Sequence, residues 1–350
     1  MNFLTLILLA ASLNVPDDAI RQLIITGGAQ AERTLLAALP QSEGSNTIAL
    51  IKALGDLRSA AVVPGCARLL PAATGDLKDV CLYALSRVAT PQAGQLLKAG
   101  LPDTAAYYLR YGETLAGLGR AKELAPIAAD LLKVKSPAVR CGALALLPSP
   151  PALLAALDDP DASVREQAVR ELSRLPSPPD FVVAANAAKG QRRALLLDAF
   201  SRRADCKEMA LFIENLDNED ELVRAAAAEA LSRVGGIVAT RALWARVERP
   251  EARDALALVR GDDVDAEIAK GLSAPATRVA ALDLLAKRRA RSQASAVLAQ
   301  VGAEPKAALS ALEVIAGNAE LEQLIGMGIA SGDDKLAKTI TTIALRLTDR

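Results

Sequence analysis

The sequence predicts an all-α fold built from stacked helix pairs, and three observations carry that reading. First, three stretches are versions of one another. Asp161 to Leu175 reads D-A-S-V-R-E-Q-A-V-R-E-L-S-R-L, Glu219 to Val234 reads E-D-E-L-V-R-A-A-A-A-E-A-L-S-R-V, and Gly75 to Val88 reads G-D-L-K-D-V-C-L-Y-A-L-S-R-V. A unit that recurs in this way marks a repeat array, in which each unit buries its apolar face against its neighbours. Second, 51% of the residues are hydrophobic and only 3% aromatic, so the core is made of Ala and Leu, which form helices readily and let them pack closely. Third, no stretch shows the apolar–polar alternation of a strand. The expected architecture is a superhelix of about eleven helix pairs with no sheet.

Turn signals place the elements in order. A short helix is expected near Asp17 to Thr26, followed by Ala29–Pro40 with Glu43–Asp56, Ala60–Pro71 with Thr74–Ala89, and Pro91–Leu101 with Asp103–Leu118. Next come Ala121–Val134 with Ser136–Leu147, Ser149–Asp158 with Asp161–Leu175, and Pro178–Lys189 with Gly190–Ala204. Asp205–Asp217 pairs with Glu219–Gly235, Ile237–Arg249 with Pro250–Arg260, and Asp262–Ser273 with Ala274–Ala290. Arg291–Gly302 with Glu304–Ala316 and Asn318–Ser331 with Gly332–Thr348 complete the series. The period is also visible without the helices. Lys78, Arg140, Arg165, Arg224 and Arg278 hold one place early in the second helix, at spacings of 62, 25, 59 and 54. These make 200 residues over seven repeats, or roughly 29 each.

The first thirteen residues stand apart from the array of 14–350. Phe3 to Leu13 is an apolar run too short to span a bilayer, and two readings stay open for residues 1–13. Its length suits the core of a signal peptide and hence an exported, periplasmic protein. The absence of Lys or Arg before the run suits an N-terminal capping helix in a cytoplasmic one.

Composition narrows the chemistry. Lys and Arg number 41, as do Asp and Glu, and histidine is absent. The commonest general base and the commonest metal ligand are therefore both missing. Cys66, Cys81, Cys141 and Cys206 lack C-x-x-C spacing and read as small core residues. A Cys66–Cys81 disulfide would need an oxidising compartment. No Gly-rich phosphate loop, nucleophile elbow or H-E-x-x-H occurs, so the sequence assigns no catalytic, cofactor or metal residue and the expectation is a non-enzyme. The balanced charge argues against a long nucleic-acid track. The runner-up reading would still gather Arg192, Arg193, Arg202, Arg203 and Lys287, Arg288, Arg289 and Arg291 on one strip.

The pattern D-x-x-V-R-x-x-A-x-x-x-L-x-x-L resembles a HEAT repeat in its short, PBS-lyase-like form. Val164-Arg165 with Ala168, Leu172 and Leu175 matches it, as does Val223-Arg224 with Ala227, Leu231 and Val234. Val139-Arg140 with Ala143 and Leu147 is a shorter match, and the repeats near Glu251 and Glu304 are degenerate. The resemblance implies a right-handed α-α superhelix whose second helices line the concave face. It also implies a structural ladder in which Lys78, Arg140, Arg165, Arg224 and Arg278 pair with acidic turns: Asp158, Asp159 and Asp161 beside Arg165, and Asp217, Glu219 and Asp220 beside Arg224. Catalytic relatives of the family include DNA glycosylases, phycobilin lyase subunits and a di-iron hydroxylase. The last uses His-Glu metal motifs, which a chain without histidine does not have.

One constellation departs from the repeat. All four tyrosines fall in two adjacent second helices: Tyr83, then Tyr107, Tyr108 and Tyr111. Tyr111 stands where other repeats place Ala168 or Ala227, and Tyr108 where they place the ladder arginine. Aromatic and Arg residues dominate interface energetics, so Tyr107, Tyr108, Arg110 and Tyr111, with Glu113 alongside, form the expected partner-binding site, with Tyr108 exposed; the alternative is a wider third repeat whose core the rings fill. Trp244, between Arg241 and Arg246, is expected to cover core. The function these features predict is a protein- or peptide-binding scaffold. A lyase- or chaperone-like subunit acting on a partner protein is a further alternative that rests on the family resemblance alone.

Overall fold

Proline and glycine punctuate the chain so regularly that, among the described residues, the helices begin and end within about five residues of the predicted places. The computed structural model describes residue 25 and residues 28–176, 180–206, 209–330 and 337–343. The apolar leader, the helix near Asp17 and most of the final predicted helix lie outside the described residues. The chain divides into two compact units, residues 1–171 and 172–350.

In the first unit the pairs are α1 (Gly28–Ala38) with α2 (Ser45–Asp56), α3 (Val63–Leu69) with α4 (Gly75–Arg87), and α5 (Pro91–Ala99) with α6 (Ala105–Gly117). Next come α7 (Leu124–Leu131) with α8 (Pro137–Leu146), and α9 (Pro150–Ala156) with α10 (Ala162–Arg174), inside which the boundary falls. The second unit holds α11 (Phe181–Ala187) with α12 (Gly190–Ser201), α13 (Met209–Asn215) with α14 (Glu221–Val234), and α15 (Gly236–Trp244) with α16 (Pro250–Leu258). It continues with α17 (Val264–Ala269) and α18 (Pro275–Lys287), α19 (Ala294–Leu298) and α20 (Pro305–Ile315), then α21 (Asn318–Ala330) and a helix at 337–343. Every regular element among the described residues is helical. The all-α prediction holds.

Local chemistry accounts for the ends. Proline opens α5, α8, α9, α16, α18 and α20, where its missing N–H costs nothing and its φ is already helical. Thr90 caps α5 by accepting from the Ala93 amide, Asp180 caps α11 through Val183, and Asp220 caps α14 through Leu222. The core is almost wholly aliphatic: Leu50, Leu54, Leu85, Leu97, Leu115 and Leu131 are fully enclosed in the first unit, and Leu197, Leu231, Leu243, Leu256, Leu284 and Leu312 in the second.

Within each unit the second helices pack side by side: α2 on α4, α4 on α6 and α6 on α8, then α12 on α14, α14 on α16, α16 on α18 and α18 on α20. Small residues permit the close approach. A Cβ added to Gly55 on α2 would lie 2.8 Å from the Ala84 Cα on α4. Hydrogen bonds between neighbouring repeats span the predicted period: Tyr107 reaches Asp79, 28 residues away, and Arg246 reaches Asp217, 29 away.

Candidate interaction site

The ladder arginines do a more specific job than ion pairing. From the first turn of the second helix, each folds back onto carbonyls five or six residues earlier, in the turn that joins it to its own first helix. Arg140 Nη1 donates to Val134 and Lys135 (3.0 and 2.8 Å), Arg165 Nη1 to Asp159 and Pro160 (2.8 and 3.0 Å), and Arg224 Nη1 to Asn218 and Glu219 (both 3.0 Å). Arg278 reaches Leu272 at 2.9 Å. Arg253, in a repeat the sequence reading treats as degenerate, reaches Val247 at 3.2 Å. Those turn carbonyls have no backbone donor, and one guanidinium nitrogen satisfies two at once while the rest of the group stays free for a carboxylate.

Two expectations about the ladder need correction. The carboxylates come from the following repeat and not from the arginine's own turn. Arg140 holds Asp159 in a two-pronged pair at 2.8 and 2.7 Å, and Arg224 holds Glu251 at 2.9 Å. Asp217, expected beside Arg224, is instead held by Arg246 and Arg249, which depress its pKa to about 2. Lys78 takes no part: it is half-buried without a hydrogen bond or ion pair among the described residues. A lysine ammonium lacks the planar fork by which Arg140 holds Asp159 while its Nη1 bonds two carbonyls.

Sequence reasoning missed a second set of arginines just beyond helix ends, each reaching back a whole repeat: Arg120, Arg203 and Arg288 after second helices and Arg249 after the first helix α15. Arg120 Nη1 donates to the Ala89 carbonyl at 2.5 Å, Arg203 to Leu175 at 2.9 Å, Arg249 to Leu216 at 2.6 Å, and Arg288 to Leu256 and Val259 at 3.0 and 2.8 Å. Carboxylates complete all four: Glu123 for Arg120, Asp205 for Arg203, Asp217 for Arg249 and Asp265 for Arg288. The signal was present in the sequence, since Arg120, Arg203 and Arg288 are spaced by 83 and 85 residues, each about three repeats of the length read from the sequence.

Four of the eight cations in the nucleic-acid alternative are engaged within the protein. The side chains of Arg203 and Arg288 are only 8% and 11% exposed, spent on carbonyls within the protein. Arg202 is clamped by Asp198, and Lys287 pairs with Asp283.

The tyrosines divide into two classes. Tyr108 and Tyr111 are buried at 4% and 3% exposure, stacked with centroids 6.2 Å apart, so the expectation of an exposed Tyr108 is wrong. Room for Tyr111 comes from the facing helix: a Cβ on Gly94 of α5 would stand 2.8 Å from the ring. The Tyr111 hydroxyl donates to the Thr90 carbonyl at 2.9 Å. Tyr108 takes the ladder position, and the Thr104 hydroxyl supplies the missing cap by donating to the Leu97 carbonyl.

Tyr83 and Tyr107 instead sit half-buried on the outer face of the second helices α4 and α6. The Tyr83 hydroxyl donates to Asp56 and that of Tyr107 to Asp79, and partial burial followed by these carboxylates raises both phenol pKa values. The exposed Arg110 places its guanidinium 5.7 Å from the Tyr83 ring centroid, and Lys52 Nζ lies 5.8 Å from it. Of the predicted site, the surface keeps Tyr107 and Arg110 and gains Tyr83.

In the second unit the same kind of face carries a groove of about 710 Å³. Its floor is small or aliphatic, formed by Ala276, Val279 and Ala280 of α18 with Ala307, Ser310 and Ala311 of α20. Glu248, Asp283 and Glu304 oppose Arg253 and Lys306 at its rim. Val279 is 51% exposed. Trp244, half-buried, packs its ring against Gly271 and covers core as expected. Cys66 and Cys81 are unbonded and enclosed on α3 and α4, where contact between the thiols and burial push the Cys66 pKa up. No group of acidic or cysteine side chains among the described residues is placed to hold a metal ion, and none of their helices is long and apolar enough to cross a membrane.

No protein-family model matches the chain, and no curated protein is significantly similar to it. Among solved structures it is similar to an engineered protein (18% identity over 99% of both chains, TM-score 0.31) and to human deoxyhypusine hydroxylase in complex with glycerol (20% identity, 85% of this chain and 99% of the other, TM-score 0.26). At these scores neither likeness carries an argument about activity.

Proposed function

We propose that the protein is a non-catalytic scaffold of HEAT-like repeats that binds a peptide segment of a partner protein along the face of its second helices. One observation carries the reading: the groove over α18 and α20. Its alanine floor lets a chain approach closely, and the exposed Val279 offers apolar area that a partner would remove from water. Its rim carries charges of both signs, as interface rims do. The occupant it fits is an extended segment with an aliphatic side chain flanked by polar residues. Arginines spent on helix ends keep the repeats rigid, which limits the ordering cost of binding.

Selection of random displayed peptides against the immobilised chain tests this, followed by fluorescence anisotropy on the enriched sequences. Val279→Glu should weaken their binding at least about tenfold, or 1.4 kcal/mol, and leave Tm unchanged. Failure to enrich any peptide would overturn the reading. So would enriched peptides indifferent to Val279→Glu, or tight single-stranded DNA binding that falls steeply with salt.

A further inference from the structure

The motif Leu-Ser-Arg-Val occurs at the end of two second helices, as residues 85–88 in α4 and 231–234 in α14. The two ends are built alike. The serine hydroxyl donates to the carbonyl three residues back in both, Ser86 to Tyr83 and Ser232 to Glu229, each at 2.7 Å. Each helix also packs on the preceding second helix. The arginines nevertheless meet opposite surroundings.

Arg233 is saturated. It donates to Asp198 at 2.6 Å, to the Ser201 hydroxyl at 2.8 Å and to Glu229. Those partners lie 35, 32 and 4 residues before it. The same offsets from Arg87 fall on Lys52, Gly55 and Tyr83, so every acceptor is gone and one has become a cation. The charge pair on the neighbouring helix is reversed as well: Asp198–Arg202 in the second unit corresponds to Lys52–Asp56 in the first, both at i, i+4. Arg87 is left half-buried, its Nε shielded from solvent with no hydrogen-bond partner. Arg174, in the related Leu-Ser-Arg of α10, is exposed and needs no protein acceptor.

A guanidinium whose Nε is shielded and has no acceptor is costly, and here it stands one helical turn from Tyr83 on the same face. Arg110, its guanidinium over that ring, likewise has no carboxylate partner among the described residues. The geometry points to a carboxylate-binding site at Arg87 and Arg110, beside Tyr83 and Tyr107, that takes a glutamate or aspartate side chain of an extended peptide. A planar guanidinium fork suits a carboxylate, and the half-buried rings supply contact area at low entropic cost. Asp56 and Asp79, hydrogen-bonded to the two phenols, interrupt the positive surface within one repeat. A single carboxylate fits between them, whereas a phosphodiester track does not. The inference rests on the peptide-binding reading but on a different unit from the groove.

The test uses the whole chain and three fluorescein-labelled probes: a decapeptide alternating Glu with Leu, its Gln–Leu counterpart, and a ten-nucleotide oligothymidylate. The Glu–Leu peptide should bind at least about tenfold more tightly than the Gln–Leu one, and Arg87→Gln should abolish that preference. Arg87→Met should leave Tm unchanged or raise it, because an unsatisfied cation is removed, whereas Arg233→Met should lower it by about 3 °C or more. Equal binding of the two peptides overturns the site even if the groove over α18 still binds its selected sequences. Loss of those sequences under Val279→Glu alone, with the Glu–Leu preference intact, supports it. Oligothymidylate binding that exceeds the Glu–Leu peptide and is lost with Arg87→Gln overturns the peptide assignment. So does an Arg87→Met protein that melts as early as Arg233→Met.

Discussion

Replacing Arg140 by alanine removes the most deeply placed member of the ladder, and its cost can be worked from the contacts. The guanidinium makes two hydrogen bonds to Asp159 and two to carbonyls of the turn between α7 and α8. Both charged side chains are largely enclosed, at 11% and 13% exposure. Without Arg140, Asp159 keeps one backbone donor, the Asp161 amide at 2.9 Å, and two carbonyls lose their partner. Stripping one member from a buried pair costs about 3–5 kcal/mol, and residual solvent access argues for the lower end. About 3 kcal/mol corresponds to a Tm loss of about 6–12 °C for a unit of this size. Calorimetry and denaturant titration of the two single variants and the double variant measure it. Asp159→Ala on the Arg140→Ala background should cost less than about 1 kcal/mol more, since the pair acts as one. The pH dependence has a definite sign. Arg140 holds the Asp159 pKa below its ordinary value, so the stabilisation is complete above the unfolded pKa of about 3.9 and is lost as pH falls through the lower folded value. The gap between wild type and Arg140→Ala should therefore be constant from pH 7 to 5 and shrink below about pH 4. A Tm loss under about 1 °C, or a gap undiminished in acid, would refute the capping role.

Gly94→Ala should cost about 2 kcal/mol or more by driving a methyl into the Tyr111 ring; Tyr111→Phe, which loses only the bond to Thr90, should cost about 1 kcal/mol, and the order of the two melting temperatures decides. Arg241 and then Lys270 hold Glu267 at a pKa of about 2. Its carboxylate should titrate by NMR well below an ordinary glutamate, and Arg241→Gln should move it upward; an unmoved midpoint would show that the pair does not form in solution.

The helix pairs were legible because proline, glycine and small polar residues mark them locally, and the period because one cation recurs in register. What the sequence hid lies in contacts between helices. Tyr108 and Tyr111 read as surface residues against an alanine consensus, but the compensating space is on another helix, at Gly94, seventeen positions away from Tyr111. Basic doublets such as Arg202-Arg203 entered the nucleic-acid alternative, because nothing adjacent in sequence shows that Arg203 completes a carbonyl at Leu175. The Asp159 carboxylate, read beside Arg165, serves Arg140 of the preceding repeat and was misplaced for the same reason. Spacing locates a residue on a helix; it does not say which neighbour it serves.

The arginines that reach back a repeat give the assembly a direction. Arg288 closes the end of α16, a helix that finished thirty residues earlier, so that helix is completed only when its successor is in place. A chain cut after Arg260 would leave the carbonyls of Leu256, Ala257 and Val259 without their donor. A cut before α17 that kept the later repeats would leave Arg288 with nothing to close. The two halves would not suffer alike: the preceding repeats would fray at a named helix end, and the following ones would carry a spare cation. During synthesis each repeat closed in this way therefore waits on the next for its last hydrogen bonds, and is unfinished while it is the newest on a growing chain.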